Sequence, residues 1–185
     1  MLLSTPLPAI SLLQLVSENR DQRALRLWLT AGLQIPEVVS LHGDANYLLN
    51  NMIAKYTLAE DAYRISVQAL QAFQDHGVDL RQTYTRSRFY GKGSGFMYEH
   101  AVPAQVLRQA LLAGRATESS VAAVLRSAGP VAVLLREENQ HLRAAGLNAK
   151  MPDGWVLGDD PLARYNAVGI ALSDQVLRVK GAICR

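Results

Sequence analysis

Glu99 and His100 are adjacent, and Pro103 follows three residues later. Neighbouring side chains on a strand point to opposite faces, so an acid beside an imidazole serves one site only where the strand ends. A proline without an amide donor is a natural end. There His100 could take a proton from water. Glu99 or a neighbouring carbonyl could orient the ring or hold a hard cation. Farther along, Asn139 and His141 stand at the start of a polar stretch that follows an apolar run, and either could supply a further ligand. A divalent ion so held would polarise a phosphodiester oxygen and stabilise the charge on the leaving group. His100 and Asn139 should then face each other across a cleft sized for one metal and one phosphate. The alternative is a hydrogen-bonded Glu99–His100 pair with a structural role.

Charge adds a second feature. The 185 residues carry a formal net charge of only +3, yet fifteen of the nineteen cations are arginine, the side chain suited to bidentate phosphate contacts. No acid lies between Asp79 and Glu99, whereas Arg81, Arg86, Arg88 and Lys92 do, together with Tyr84, Phe89, Tyr90, Phe96 and Tyr98. On a strand, Arg86, Arg88 and Tyr90 would share one face and form a phosphate-contacting strip leading to His100. Gly91, Gly93 and Gly95 do not make a phosphate-gripping loop, because no Lys-Ser/Thr and helix follow. They suit a hairpin tip. The alternative for the strip is a solvated strand face.

The elements that must position these residues follow from pattern and punctuation. An apolar stripe of Ile10, Leu12, Leu13, Leu15 and Val16 predicts a first helix; Leu25, Trp28 and Leu29 predict a second, closed by Gly32. Pro36 starts a short helix, and Asp44 caps one with Tyr47, Leu48 and Met52 on a face. Thr57 and Glu60 match a capping box, predicting four or five helical turns with Leu58, Ala62, Ile65, Ala69 and Phe73 on the apolar face and Gly77 as the stop. Residues 84–90 and 96–102 read as a β-hairpin. Helices follow over 105–112 and 118–127, then an apolar strand over 130–135 that runs into a helix over 136–143 with acids in its first turn. Asp160-Pro161 begins another helix, and an apolar stretch fills 168–179.

At Glu99-His100-Ala101-Val102-Pro103, and in the strand-to-helix unit 131–143, the sequence resembles the HNH, or ββα-metal, endonuclease family. The resemblance spans roughly residues 96–146. It implies that His100 activates water and that Glu99, with Asn139 or His141, binds a single Mg²⁺ or Mn²⁺. It also requires two helices inserted between the strands, and it comes without the paired cysteines of a structural zinc, since Cys184 is the one cysteine.

The fold class expected is α+β, a mainly helical domain with a short hairpin and a ββα-metal-like site. Residues 1–80 form a helical region, 81–150 the nuclease-like region and 151–185 a helix/strand extension, all in one compact domain. The expected activity is metal-dependent cleavage of DNA, with sequence-specific, restriction-type cutting as a subclass. Arg81, Arg86, Arg88, Tyr90 and Lys92 would hold the nucleic acid, and a homodimer is possible. A non-catalytic nucleic-acid- or protein-binding domain and an RNA-cleaving toxin are the alternatives. The apolar start lacks a basic leader and a small-residue cleavage site, the cysteine content fits a reducing compartment, and no run approaches a membrane span, so the chain reads as cytoplasmic.

Overall fold

The computed structural model describes residues 18–40, 46–91 and 93–181. The stripe at 10–16, His42, Asp44, Lys92 and Cys184 lie outside the described residues. The chain is a mixed α/β protein. Its helices are α1 (Arg20–Leu33), α2 (Pro36–Ser40), α3 (Asn46–Leu58), α4 (Val67–Asp75), α5 (Ala104–Ala113), α6 (Glu118–Arg126), α7 (Arg136–Ala144) and α8 (Ala163–Ala167). Its strands are β1 (Ala62–Ser66), β2 (Thr83–Thr85), β3 (Phe96–His100), β4 (Val131–Leu135) and β5 (Leu172–Lys180). They form one sheet in the order β2-β5-β1-β4-β3. The pairs β1–β4 and β2–β5 are parallel, whereas β1–β5 and β3–β4 are antiparallel. No helix among the described residues is long and apolar enough to cross a membrane.

Strand alternation divides the sheet into two faces. The inner face carries Tyr63, Ile65, Tyr84, Phe96, Tyr98, Val131, Val133, Leu177 and Val179, which pack with Ala69 and Phe73 of α4. The outer face of β4 carries Ala132 and Leu134, covered by Leu142 of α7 and Tyr165 of α8. A separate helical layer joins α1, α3, α5 and α6 through Leu29, Ile53, Leu107 and Leu125. At the turn that closes α6, Gly129 has φ +64°, and a Cβ there would lie 2.5 Å from Pro161 Cβ. Only glycine fits that position.

Two sequence expectations are corrected. The long helix over Leu58, Ala62, Ile65, Ala69 and Phe73 does not form: α3 stops at Leu58, and β1 occupies the centre of the sheet before α4 begins. Tyr63 and Ile65, two residues apart, are both fully buried on one face, a spacing that a strand and not a helix places side by side. Ser66 restarts the helix by accepting a hydrogen bond from the Ala69 amide. The hairpin does not form either. β2 and β3 lie at opposite edges of the sheet, and residues 86–89 make turns. Phe89 and Phe96 pack instead on Phe73, at centroid distances of 4.8 and 4.5 Å. The helices over α5, α6 and α7 and the strand β4 stand close to the bounds expected of them.

Candidate functional site

The antiparallel pair β3–β4 brings together segments separated by α5 and α6, with Phe96 opposite Leu135 and His100 opposite Val131. β4 passes directly into α7, which packs against both strands. Glu138 fastens that junction. Its Oε2 accepts from the Leu135 amide at 2.8 Å and from the Ser66 hydroxyl at 2.6 Å, so the start of α7 is tied to the end of β1.

His100 is the last residue of β3, as the following proline suggests. Its ring lies on the inner face, where Nδ1 is 2.7 Å from Thr57 Oγ1 at the end of α3. Burial, and then the positive charge of Arg164, push its pKa down to about 4, so the imidazole is neutral at neutral pH. Glu60, on the connection from α3 to β1, accepts a hydrogen bond from the amide of Val131, the residue paired with His100. Burial raises the Glu60 carboxyl to about 7, against the lowering effect of that bond.

Glu99 points to the outer face. Its Oε1 accepts from Arg164 Nη2 at 2.6 Å. Arg164 is fully buried, and every arm of its fork is used: Nε donates to the Ala101 carbonyl at 2.9 Å, Nη1 to the Leu147 carbonyl at 2.8 Å, and Nη2 also to the His100 carbonyl. The need is built into the ladder. Ala101 donates to the Pro130 carbonyl, but proline has no N–H to return, and the guanidinium supplies it.

Asn139 is buried on the inward side of α7, with Nδ2 directed at Met97 Sδ at 3.1 Å. His141 is exposed on the other side of the helix, so of the two candidate ligands it is Asn139 that faces the sheet. Met97 and Glu99 share the outer face, and Asn139 is therefore on the side of Glu99. His100 and Asn139 do not face each other. The Met97 and His100 contacts are three residues apart, on the order of 10 Å along the strand, and on opposite faces. β3 itself divides the expected cleft.

The phosphate strip also changes. Arg86 is turned inward, donating to the carbonyls of Leu58 (2.9 Å), Glu60 (2.9 Å), Ala59 (3.2 Å) and Gly181. Four carbonyls at the ends of α3 and β5 occupy most of the fork, so Arg86 serves the fold first and is not presented on a strand face with Arg88. Arg88 is exposed beside Phe89, Arg81 is exposed and paired with Asp79 at 2.9 Å, and Tyr90 is exposed and stacks on Tyr98. They do not share a strand face. Thr57, Glu60 and Arg164 go unnoticed in the sequence. The first two look like a helix cap, and Arg164 stands alone between apolar neighbours.

No family model matches the chain, and neither a curated protein nor a solved structure matches it.

Proposed function

We propose that the chain is a metal-dependent phosphodiesterase acting on DNA, with β3, β4 and α7 as its ββα-metal-like unit and the end of β3 as its reacting edge. The observation that carries this is His100: a neutral imidazole on the terminal residue of a strand, fixed through Nδ1 and adjacent in sequence to a carboxylate on the other face. Glu99 and His100 lie on opposite faces at the end of β3, so a scissile phosphate would straddle that edge, with the cation on the Glu99 side and the attacked water on the His100 side.

Donor chemistry supports a small divalent cation. Glu99 Oε2 and Asn139 Oδ1 take no hydrogen bond from the described residues, and both belong to the α7 side of β3. They are hard oxygen donors of the kind Mg²⁺ and Mn²⁺ prefer. No group of three or more His, Cys, Asp or Glu gathers among the described residues, so water and phosphate oxygens would complete the shell. When bound, the ion withdraws charge from the phosphate. His100 Nε2 accepts a proton from water as the water oxygen bonds to phosphorus; the ester P–O bond breaks, and the leaving oxygen takes a proton from solvent. Thr57 holds the ring, and Arg164 holds both the Glu99 carboxylate and the backbone that carries His100.

Plasmid DNA incubated with the protein and Mg²⁺ or Mn²⁺ should be nicked, chelator should stop the reaction, and His100→Ala should slow it by about 10²- to 10⁴-fold. Absence of cleavage of DNA and RNA with either metal would overturn the proposal. The ties of Glu99 to Arg164 and of His100 to Thr57 favour, as a second reading, a non-catalytic nucleic-acid-binding domain in which the pair is structural. Cleavage of RNA alone would point to an RNA-cleaving toxin.

A further inference from the structure

Among the described residues, the outer sheet face is covered over β3, β4, the end of β1 and the start of β5. Over the rest of β1, β5 and β2 it is open to solvent and carries Arg64, Arg178 and Lys180. Residues 62 and 64 of β1, 176, 178 and 180 of β5, and 83 and 85 of β2 alternate with buried inner-face neighbours. Register aligns them across the strands: Arg178 lies between Ala62 and Thr83, Val176 beside Arg64, and Lys180 beside Thr85. A solvent-open groove of about 420 Å³ runs here, lined by Asp61, Ala62, Thr83 and the run of β5 from Val176 through Arg178, Val179 and Lys180.

Arg178 and Lys180 are exposed and form no ion pair among the described residues. The acids nearby have partners: Asp61 with the inward-turned Arg86 at 3.6 Å, and Asp174 with Arg64 at 3.8 Å. Arg64 also donates to the Ser173 carbonyl at 2.8 Å, which holds its guanidinium along the face. Three cations and two threonine hydroxyls stand here among Ala62 and Val176, with no aromatic side chain on the face among the described residues. Cations and hydroxyls suit a phosphate backbone, and the lack of an aromatic platform does not suit a stacked base.

The same register ties this face to the reacting edge. Glu99 pairs with Ala132, Ala132 is level with Arg64, and Arg64 with Val176, so Glu99 and the open half share one transverse row, which runs beneath α7 and α8 at Ala132. Three strand spacings separate β5 from β3, roughly 14 Å, or about four base-pair rises of a duplex. The C-terminal ends of β5, β2 and β3 and the N-terminal ends of β1 and β4 all lie at one rim of the sheet, the rim that carries His100.

We infer that the open half of the outer face, with Arg64, Arg178 and Lys180, is the docking surface for the phosphate backbone of duplex DNA, which reaches the end of β3 along the rim that the strands share. The choice of DNA as occupant rests on the function proposed above; the basic face itself does not. It stands in addition to the exposed Arg88 and in place of the inward-turned Arg86.

The test separates binding from cleavage. A fluorescent DNA duplex of mixed sequence is titrated, in chelator, with His100→Ala protein and with the same protein carrying Arg178→Ala and Lys180→Ala. Arg115→Ala with Arg126→Ala, on the helical layer, is the charge-matched control. The sheet-face pair should weaken binding about tenfold, and the slope of log K against log salt should become shallower by about 2, because each lost phosphate contact removes about 0.9. The control should leave the slope as it is. Equal slopes and affinities for the sheet-face variant and its parent, with unchanged circular dichroism, would overturn the surface, as would an equal loss in the control. Tighter binding of a duplex RNA of the same sequence would overturn the choice of DNA. Binding that depends on Arg178 and Lys180 in a protein that cuts nothing would leave the surface standing and remove the nuclease proposal. Cleavage by a protein whose binding ignores them would do the reverse.

Discussion

The Thr57 hydroxyl has one proton and three neighbours able to take it: the Ala54 carbonyl at 3.0 Å, the Ile53 carbonyl at 3.5 Å and His100 Nδ1 at 2.7 Å. A threonine within a helix commonly donates back to the carbonyl of the preceding turn. That leaves Oγ1 as an acceptor, puts the imidazole proton on Nδ1 and leaves Nε2 with a free lone pair, the form a general base needs. Nitrogen-detected NMR of the His100 ring at neutral pH should therefore show Nδ1 protonated, and the ring should titrate near pH 4. Thr57→Val should mix the two tautomers, while Thr57→Ser should keep the wild-type pattern. A ring protonated on Nε2 in the wild type would remove His100 as the base, whatever the activity of the protein.

At the scale of elements, the end of β3 is held by a buried cation at the point where Pro130 leaves the ladder without a donor. Removing Arg164 strands the Glu99 carboxylate and leaves three carbonyls without their donor. Arg164→Met should cost about 3–5 kcal/mol in urea denaturation, the penalty typical of half a buried pair. Adding Glu99→Gln to that variant should recover part of the loss; a double variant no more stable than the single one would show that the carboxylate is not what suffers. This arrangement also marks the limit of what the sequence reveals. Helices with ordinary punctuation, such as α5 with Pro103 ahead of it and α7 with its leading acids, are legible from local signals, and so is β4, an apolar run of strand length. β1 is not, because Ala62, Ile65 and Ala69 fit a helical stripe as well as a strand, and only the neighbours β4 and β5 decide. Nor is the partner of β3: the glycines around residue 93 suggest a turn between adjacent strands, but the aromatic side chains on either side gain more by closing over Phe73. In the site, the sequence displays Glu99, His100 and Asn139 but not their faces, which depend on β3 lying between α3 and α7. Arg86 and Arg164 look alike in sequence to the free Arg178. Burial, which separates them, is a property of the folded sheet.

For the molecule as a whole, two groups on one rim give opposite pH dependences to stability. His100 is lowered from 6.5 to about 4, so the folded state favours its neutral form; that contribution is full above pH 6.5 and is lost as pH falls through about 4. Glu60 is raised from 4.5 to about 7, so the folded state favours its protonated form; that contribution is full below pH 4.5 and is lost as pH rises through about 7. Between pH 4.5 and 6.5 the unfolded chain has already released the Glu60 proton and still holds the His100 proton. The two slopes cancel there, and these groups leave the stability of the wild type flat. Glu60→Gln keeps the shape of the side chain and removes one of the slopes. Its stability relative to wild type should rise with pH by about 1 kcal/mol per unit between 4.5 and 7 and then level off, and its own curve should fall toward acid below pH 6.5 as His100 takes up its proton. Urea denaturation of both proteins across this window reads the difference directly. Curves that stay parallel from end to end would mean that Glu60 does not titrate near neutrality. The Val131 amide would then hold it as an ordinary carboxylate, and the rim that carries His100 would be more open to water than its burial implies.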